Sequence, residues 1–149
     1  MDEHRAFADL DGRVALVTGC GSPDGIGFAT ARLLGRQGAK VAITSTTERI
    51  QERVAELGDE GITASGHVAD LTDPDEAARV VAETVEIHGG LDILVNNAGM
   101  SQVGTEDLGR PFAELSPEEW QAGIDQNLNL TASVSRAALA DITQADGGR

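Results

Sequence analysis

Four short apolar runs alternate with longer segments of helical period along this chain. The runs cover residues 13–18, 40–45, 62–69 and 91–96, and each is rich in Val, Ile or Leu. Only the third run alternates with polar residues, and unbroken apolar runs are typical of parallel strands buried on both faces. The pattern therefore predicts an α/β fold, in which β-α-β units build a doubly wound parallel sheet of the Rossmann type.

The segments between the runs carry helix signals. The first helix should run from near Gly25 to just before Gly38, and the second from near Thr47 to Gly58. One face of the first helix is predicted to hold Ile26, Ala29, Thr30, Leu33 and Leu34.

The last two helices have the clearest start signals. Asp73 is a capping carboxylate followed by proline, and this third helix should run to Gly89. After a loop over residues 99–115, a capping box at residues 116–119 opens a long helix to about Asp141. An inward-facing stripe on the long helix is predicted at Trp120, Ile124, Leu128 and Thr131.

Composition narrows the classes of partner. The chain of 149 residues has a formal net charge of −14, so nucleic acid and anionic membranes would be repelled at long range and neither is expected to bind. A lone cysteine excludes an internal disulfide, and three scattered histidines lack metal-ligand spacing, so no metal site is expected. The sequence shows neither a signal-peptide pattern nor a membrane-spanning run, and we expect a cytoplasmic protein.

The connection between the first strand and the first helix, residues 18–27, is rich in glycine. Gly19, Gly25 and Gly27 lack the Cβ atoms that would keep the main chain away from a pyrophosphate, and the helix start offers about half a positive charge. Such a loop binds an anion through backbone dipoles, which suits an acidic protein. Taken alone, the loop fits an ordinary strand-to-helix turn equally well.

A second signal, Asn-Asn-Ala-Gly at residues 96–99, ends the fourth strand. We expect this strand to lie beside the first, at the point where the strand order reverses and where ligands bind in such sheets. Four motifs follow one another along the chain: a Thr-Gly loop ending in Gly-Ile-Gly, the pair Asp70-Leu71, this tetrad, and Trp120 seven residues before Asn127. The short-chain dehydrogenases/reductases carry such motifs in the same order, and the chain resembles this family over nearly its whole length. The glycine loop is two residues longer than is usual there.

The resemblance implies the cofactor-binding half of an NAD(P)-dependent oxidoreductase, which transfers hydride between a nicotinamide cofactor and a carbonyl or alcohol substrate. It implies cofactor contacts from Gly19, Ser22, Gly25, Ile26 and Gly27 at the pyrophosphate and the adjoining ribose, from Asp70 and Leu71 at the adenine, and from Asn97, Ala98 and Gly99 at the adenosine ribose. Asn96 is interpreted as tying the strand. An ordinary turn aspartate is the alternative for Asp70.

The choice between the two nicotinamide cofactors should be made at the end of the second strand, where NAD users of the family carry an aspartate. Ser45 stands at that position, Thr46 follows it, and Arg49 lies within reach of a 2′-phosphate. NADP(H) is therefore favoured over NAD(H). An inward-turned Glu48 would reverse this preference, and a solvent-facing Arg49 would remove its support.

The catalytic set implied by the resemblance is incomplete. Asn127 matches an asparagine that interrupts the long helix and holds a water linked to a catalytic lysine; without the family, it would be an amide satisfied by neighbouring main chain. The family's tyrosine acts as acid or base, with a lysine four residues later. Here tyrosine is absent and the only lysine, Lys40, begins the second strand, so this chain alone is predicted to be inactive.

No other nucleophile is expected. Cys20 precedes a helix N-terminus, a position that lowers the pKa of a thiol, but the sequence places no general base beside it. Ser22 and the three histidines show no triad-like arrangement.

Gly147 and Gly148 fit a helix terminator before a fifth strand. Because an uncovered parallel strand is a liability, we expect residues 1–149 to be a partial NAD(P)-binding Rossmann domain, as a fragment or one half of a split protein. A naturally short protein with a covered edge is the alternative.

Three hypotheses about function follow. The chain is part of an oxidoreductase, a non-catalytic dinucleotide-binding or sensing module, or an assembly subunit, and the presence of Asn127 favours the first. Expected partners are a small carbonyl or alcohol substrate, and either a homodimer or homotetramer formed through the long helix at residues 117–141 or a complementing C-terminal fragment. The sequence does not specify the substrate.

Overall fold

The computed structural model describes residues 9–99 and 111–148, and its strands form one parallel sheet. They are β1 (Val14–Val17), β2 (Lys40–Ser45), β3 (Ala64–Val68) and β4 (Ile93–Val95), in the order β3-β2-β1-β4. The chain moves outward from β1 to β3 and then returns to place β4 on the other side of β1. The predicted doubly wound sheet, with its first and fourth strands adjacent, is confirmed.

Helices connect and cover the strands. They are α1 (Ile26–Arg36), α2 (Ile50–Asp59), α3 (Pro74–His88), α4 (Pro117–Ile124) and α5 (Leu130–Gln144), with a short 3-10 turn at Phe112–Glu114 and a π-helical turn at Asp125–Asn129. The second helix begins later than predicted, and the third and fourth strands are shorter at both ends. Most of the predicted loop at residues 99–115 lies outside the described residues. Among the described residues, no helix has both the length and the apolar character needed to cross a membrane.

Two apolar clusters lie on opposite faces of the sheet. On one face, Val17, Val41 and Ile43 pack with residues of α1 and α2, including Phe28 and Leu57. On the other face, Leu16 and Ala42 pack with residues of α3 and α5. Adjacent strand residues therefore contribute to different clusters, which is why β1 and the middle of β2 are apolar on both faces.

The predicted face of α1 is wrong except at Leu34, which is partly buried and packs against the core. The fully buried residues are Gly27, Phe28 and Ala31, whereas Ile26 and Leu33 are exposed. Gly27 and Ala31 are small and allow the helix to approach the sheet closely. Side-chain size as well as hydropathy therefore decides which face of the helix is buried.

The predicted long helix is interrupted, and its inward stripe is wrong. Trp120 and Leu128 are 52% and 61% exposed, while Leu130, Val134 and Ala138 are buried. The π-helical turn adds one residue to the helix between these two groups, and each residue rotates a helix by about 100°. The added residue changes which positions of α5 are buried, whereas α4, which contains Trp120, has no buried residue at all.

Candidate functional site

The carboxyl ends of β1 and β4 are joined by the Thr18 side chain. Its hydroxyl accepts hydrogen bonds from the backbone N–H groups of Asn97 (3.0 Å) and Ala98 (2.9 Å), and it donates to the carbonyl of Val95 (3.3 Å). These bonds fix the start of the glycine loop against the segment that follows β4. The two motifs that the sequence singles out therefore meet at this edge of the sheet.

Asn97 fastens the glycine loop from the other side. Its side-chain amide donates to the carbonyls of Thr18 (2.9 Å) and Gly19 (3.1 Å). Asn96, which we interpreted as the tying residue, instead donates to the Ser135 hydroxyl on α5 (3.1 Å). With the Asn97 amide engaged in this way, a ligand at residues 97–99 would meet mainly backbone.

Gly19 and Gly27 are required by this packing. Gly19 has a φ of +75°, and a Cβ there would lie 2.8 Å from the Ala98 Cα. A Cβ on Gly27 would lie 2.7 Å from the Gly19 carbonyl oxygen and would collide with the Asn97 amide nitrogen. Real Cβ atoms do not approach so closely, so both positions need glycine even before a ligand is considered.

The N-terminus of α1 lacks a side-chain cap. Gly25 occupies its N-cap position and provides no side-chain cap, and α2 likewise has none, whereas Asp73 caps α3 and Ser116 caps α4. The α3 and α4 caps are those that the sequence predicts. Beside the uncapped end, Ile26 is 79% exposed although it is a large apolar residue. Positive helix-end charge next to an exposed apolar side chain is an arrangement suited to an anion attached to an apolar group.

The longer form of the glycine loop is closed by a local turn. The Gly25 N–H donates to the Ser22 carbonyl (3.2 Å), and the Ser22 side chain is exposed. A Cβ on Gly25 would lie 3.3 Å from both Ser22 Cβ and the Ser22 carbonyl oxygen, so a larger residue would push the turn outward.

The end of β2 lies beside the middle of this loop. A Cβ on Gly21 would lie 3.0 Å from Ser45 Cβ and 3.8 Å from the Arg49 Nη2. The Ser45 hydroxyl donates to the Thr47 carbonyl (2.6 Å) and accepts from the Thr47 N–H (3.2 Å), and Arg49 Nε donates to the Thr47 hydroxyl (3.1 Å). The Arg49 guanidinium thus faces the loop, and Thr46 is exposed at the same edge.

The Asp70-Leu71 pair is placed differently from the simplest expectation. One carboxylate oxygen of Asp70 accepts from both the N–H (3.0 Å) and the hydroxyl (2.6 Å) of Thr72, so it forms the turn considered as an alternative. The Leu71 side chain is 3% exposed and packs in the cluster beneath α3.

Asn127 lies within the π-helical turn and beside the tetrad. Its amide donates to the Gly123 carbonyl (3.0 Å), and a Cβ on Gly99 would lie 2.9 Å from its Oδ1. Gly99 has a φ of +150° and leaves room for this amide. The structure therefore brings the candidate catalytic asparagine close to Gly99, beyond the end of β4.

Cys20 is not a reactive thiol. It is fully buried, its Sγ donates to the Val17 carbonyl (3.3 Å), and burial raises its pKa to about 12. The effect of the helix N-terminus considered from the sequence is outweighed by the loss of water around the thiol.

A buried polar cluster on β3 and α3 escaped the sequence analysis. His67 Nδ1 lies 2.8 Å from the Glu83 carboxylate, and the Ser65 hydroxyl lies 3.0 Å from His67 Nε2 and 2.9 Å from His88 Nε2. The expectation that the histidines form no triad-like arrangement is wrong, because a strand and a helix bring these distant residues together. A signal for this cluster was present in the sequence. Ser65 and His67 are two residues apart and therefore share one face of the strand, and Glu83 and His88 lie on the helix that follows it.

No group of three or more His, Cys, Asp or Glu side chains that could hold a metal ion is found among the described residues. Lys40 is remote from the crevice, since it begins β2 and its Nζ donates to the His88 carbonyl (3.2 Å).

Comparison with known proteins agrees with this fold and these motifs. The family model for short chain dehydrogenases matches residues 13–149, and the chain belongs to this family.

Two curated relatives and two solved structures illustrate the similarity. The Bos taurus dehydrogenase/reductase SDR family member 4 is 37% identical over 93% of this chain and 48% of its own, and the Salmonella typhimurium oxidoreductase UcpA is 33% identical over 94% and 50%. A metagenomic short-chain oxidoreductase in complex with NADP is 35% identical with a TM-score of 0.82, over 95% of this chain and 61% of that one. A Burkholderia cenocepacia short chain dehydrogenase in complex with NADP is 37% identical with a TM-score of 0.80, over 95% and 55%. The chain spans about half the length of the curated relatives it matches.

Proposed function

We propose that this chain binds a nicotinamide dinucleotide in the crevice between the glycine loop and residues 97–99. The observation that carries the proposal is the uncapped N-terminus of α1, with the exposed Ile26 beside it, at the edge where β1 meets β4. Backbone N–H groups there suit a pyrophosphate, and a bound cofactor would cover the exposed Ile26. Solved relatives in complex with NADP support this assignment.

Different residues would contact different parts of the cofactor. Gly25, Ile26 and Gly27 would hold the pyrophosphate through their main chain, with Gly19 and Ser22 beside them. The main chain of residues 97–99 would meet the adenosine ribose. Asp70 and the Leu71 main chain would lie at the adenine, with the Asp70 carboxylate shaping the turn that presents them.

NADP(H) is proposed over NAD(H) because of the groups at the end of β2. Arg49 faces Gly21 and Ser45, and no acidic side chain occupies the Ser45 position. A guanidinium pairs well with a 2′-phosphate, whereas an aspartate there would bind a free 2′-hydroxyl. Ser45 and Thr46 would add hydroxyl contacts.

As a whole, the protein is proposed to be an oxidoreductase acting on a carbonyl or alcohol, with this chain as its cofactor-binding half. A bound nicotinamide would supply or accept the hydride. Within this chain, Asn127 beside Gly99 is the one residue of the implied proton-transfer set, and the missing phenol leaves the chain alone without an acid for the substrate oxygen. The position of Asn127 favours this function over a sensing module.

Calorimetric titration with NADPH and NADH tests the binding proposal. We expect the wild-type chain to bind NADPH more tightly than NADH, and Gly25→Val to abolish both, because the branched side chain would displace the Ser22 turn and block the α1 N-terminus. Gly58→Val is the matched control, since a Cβ at that helical glycine meets nothing within 4 Å. Negligible affinity of the wild type, or unchanged affinity of Gly25→Val beside a normal Gly58→Val, would contradict the proposal.

A further inference from the structure

The cluster on β3 and α3 forms a continuous line of hydrogen-bonding groups. It runs from Glu83 through His67 and Ser65 to His88, with contacts of 2.8, 3.0 and 2.9 Å. The two histidines are 4% and 7% exposed, and three of their four ring nitrogens have partners within the line. The line lies on the β3 and α3 side of the sheet, away from the crevice between β1 and β4.

Hydrogen-bond chemistry fixes the direction of this line when both imidazoles are neutral. An ionised carboxylate only accepts, so His67 must carry its proton on Nδ1 and leave Nε2 as an acceptor. The Ser65 hydroxyl has one proton, which it then donates to His67 Nε2. The same oxygen can only accept from His88, so His88 must carry its proton on Nε2.

A proton added to His67 can be accommodated by reversing the line. Protonated His67 donates from Nδ1 to Glu83 and from Nε2 to the Ser65 oxygen. The Ser65 hydroxyl then turns to donate to His88 Nε2, and His88 must move its own proton to Nδ1. His88 is the last residue of α3, where carbonyl groups of the final turn lack intrahelical partners and favour a donor.

We propose that Ser65 couples the two histidines into a relay that takes up one proton at His67 and answers with a tautomer change at His88. The proton is thus taken up at one end of the line, beside Glu83. The resulting tautomer change occurs at the other end, beside Lys40. No bond to carbon changes; one proton enters His67, and the proton of neutral His88 passes from Nε2 to Nδ1 by exchange.

A second proton is excluded by the same geometry. Charging both imidazoles would aim two N–H groups at the single Ser65 oxygen and leave its hydroxyl proton without an acceptor in the line. The nearby charges oppose it as well: burial lowers the pKa of His88, and the positive charges of Lys40 and His67 lower it further.

The remaining charged neighbours differ between the two ends of the line, with a carboxylate beside His67 and an ammonium group beside His88. On α3, Arg79 donates to Glu83 (2.9 Å) and to Glu76, and these bonds hold Glu83 in its ionised form. A hydrogen bond from Arg79, followed by one from His67, keeps the pKa of Glu83 below its usual range. Lys40 of β2, at the far end, repels a proton from His88.

Long-range proton–nitrogen NMR of the imidazole rings tests the relay directly, because the chain has only three histidines. At high pH we expect the Nδ1–H form of His67 and the Nε2–H form of His88. On acidification, His67 should become doubly protonated and His88 should change to Nδ1–H at the same midpoint while staying neutral. A His88 ring that keeps its Nε2 proton through that step, or that gains charge in it, would overturn the proposal.

Two serine variants isolate the role of the hydroxyl. Ser65→Ala should abolish the tautomer change at His88, and Ser65→Thr, which keeps a hydroxyl on the strand, should retain it. Ser135→Ala is the control for loss of a half-buried serine elsewhere. If Ser65→Ala does not fold, the wild type and Ser65→Thr decide: an uncoupled pair of histidine titrations in either one contradicts the relay.

Discussion

At the scale of single residues, the two glycines at the ends of the loop serve the protein's own packing. Gly19 and Gly27 bring the loop and α1 against the Asn97 amide so closely that no Cβ fits. The sequence predicted where these glycines are needed, because glycine spacing before a helix is a strong pattern. It did not predict that the Asn97 side-chain amide would donate hydrogen bonds to the glycine loop, because an amide in a loop can form hydrogen bonds with many different groups.

The first prediction separates this packing role from ligand binding. Gly27→Ala should destabilise the chain without cofactor by about 1–3 kcal/mol, the usual cost of overpacking a closely packed site. Gly58→Ala, where a Cβ meets nothing, should stabilise it by about 0.4–1 kcal/mol. Urea unfolding measures both, and a Gly27→Ala variant as stable as the wild type would refute the close approach.

A second prediction at this scale concerns Arg49. Hydrogen bonds to charged groups contribute about 1.5–3 kcal/mol, so Arg49→Ala should weaken NADPH binding by about tenfold or more. NADH binding should barely change. Arg36→Ala, which removes an exposed arginine paired with Glu60, is the control. Equal weakening for both cofactors would place Arg49 away from the 2′-phosphate.

At the scale of elements, the long helix shows where sequence periodicity stops being sufficient. The capping box at Ser116 and Glu119 was correctly predicted because it depends on neighbouring residues alone. The buried stripe was not, because a π-helical turn has no clear periodic signal and shifts every position after it. The same turn carries Asn127, so the interruption also places the candidate catalytic residue.

The shift predicts opposite outcomes for two leucines that are two residues apart. Leu130→Ala should cost about 2–5 kcal/mol, as is usual when a buried leucine is truncated. Leu128→Ala should change stability by no more than about 0.5 kcal/mol, because its side chain is exposed. Denaturant unfolding compares the two, and a larger loss for Leu128→Ala would mean that the uninterrupted stripe is the correct one.

Arg79 predicts a pH dependence at the junction of α3 and β3. It donates to Glu76, Glu83 and the Val68 carbonyl, and its hydrogen bonds lower the pKa of both carboxyl groups. A depressed pKa in the folded state adds stability above the ordinary value, near 4.5, and that stability is lost as the pH falls through the folded value. Arg79→Met should reduce the part of the free energy of unfolding that is lost on acidification.

Carbon NMR of the Glu83 carboxyl group during an acid titration measures the effect. In Arg79→Met its pKa should rise toward the ordinary value, whereas in Arg36→Met, which leaves α3 intact, it should not move. An unchanged Glu83 titration in Arg79→Met would show that Arg79 is not the main cause.

At the scale of the whole molecule, the sheet and its topology could be predicted from the sequence because both faces are buried. Four apolar runs separated by helical segments restrict the fold to a doubly wound parallel sheet. The cluster of Ser65, His67, Glu83 and His88 could not be predicted in this way, because its members come from two elements and depend on their exact rotation. The candidate cofactor site could be predicted in part. Its position follows from the strand order, whereas its shape depends on backbone detail that the sequence pattern does not give.

The central claim is that the loop at residues 18–27 and the segment at residues 97–99 form one dinucleotide site. Amide-resolved NMR during titration with NADPH measures this most directly. We expect saturable shifts that are largest at Gly19, Ile26, Gly27 and residues 97–99, with small changes at Ser65 and His88. Shifts confined to other parts of the chain, or none at saturating NADPH, would contradict it.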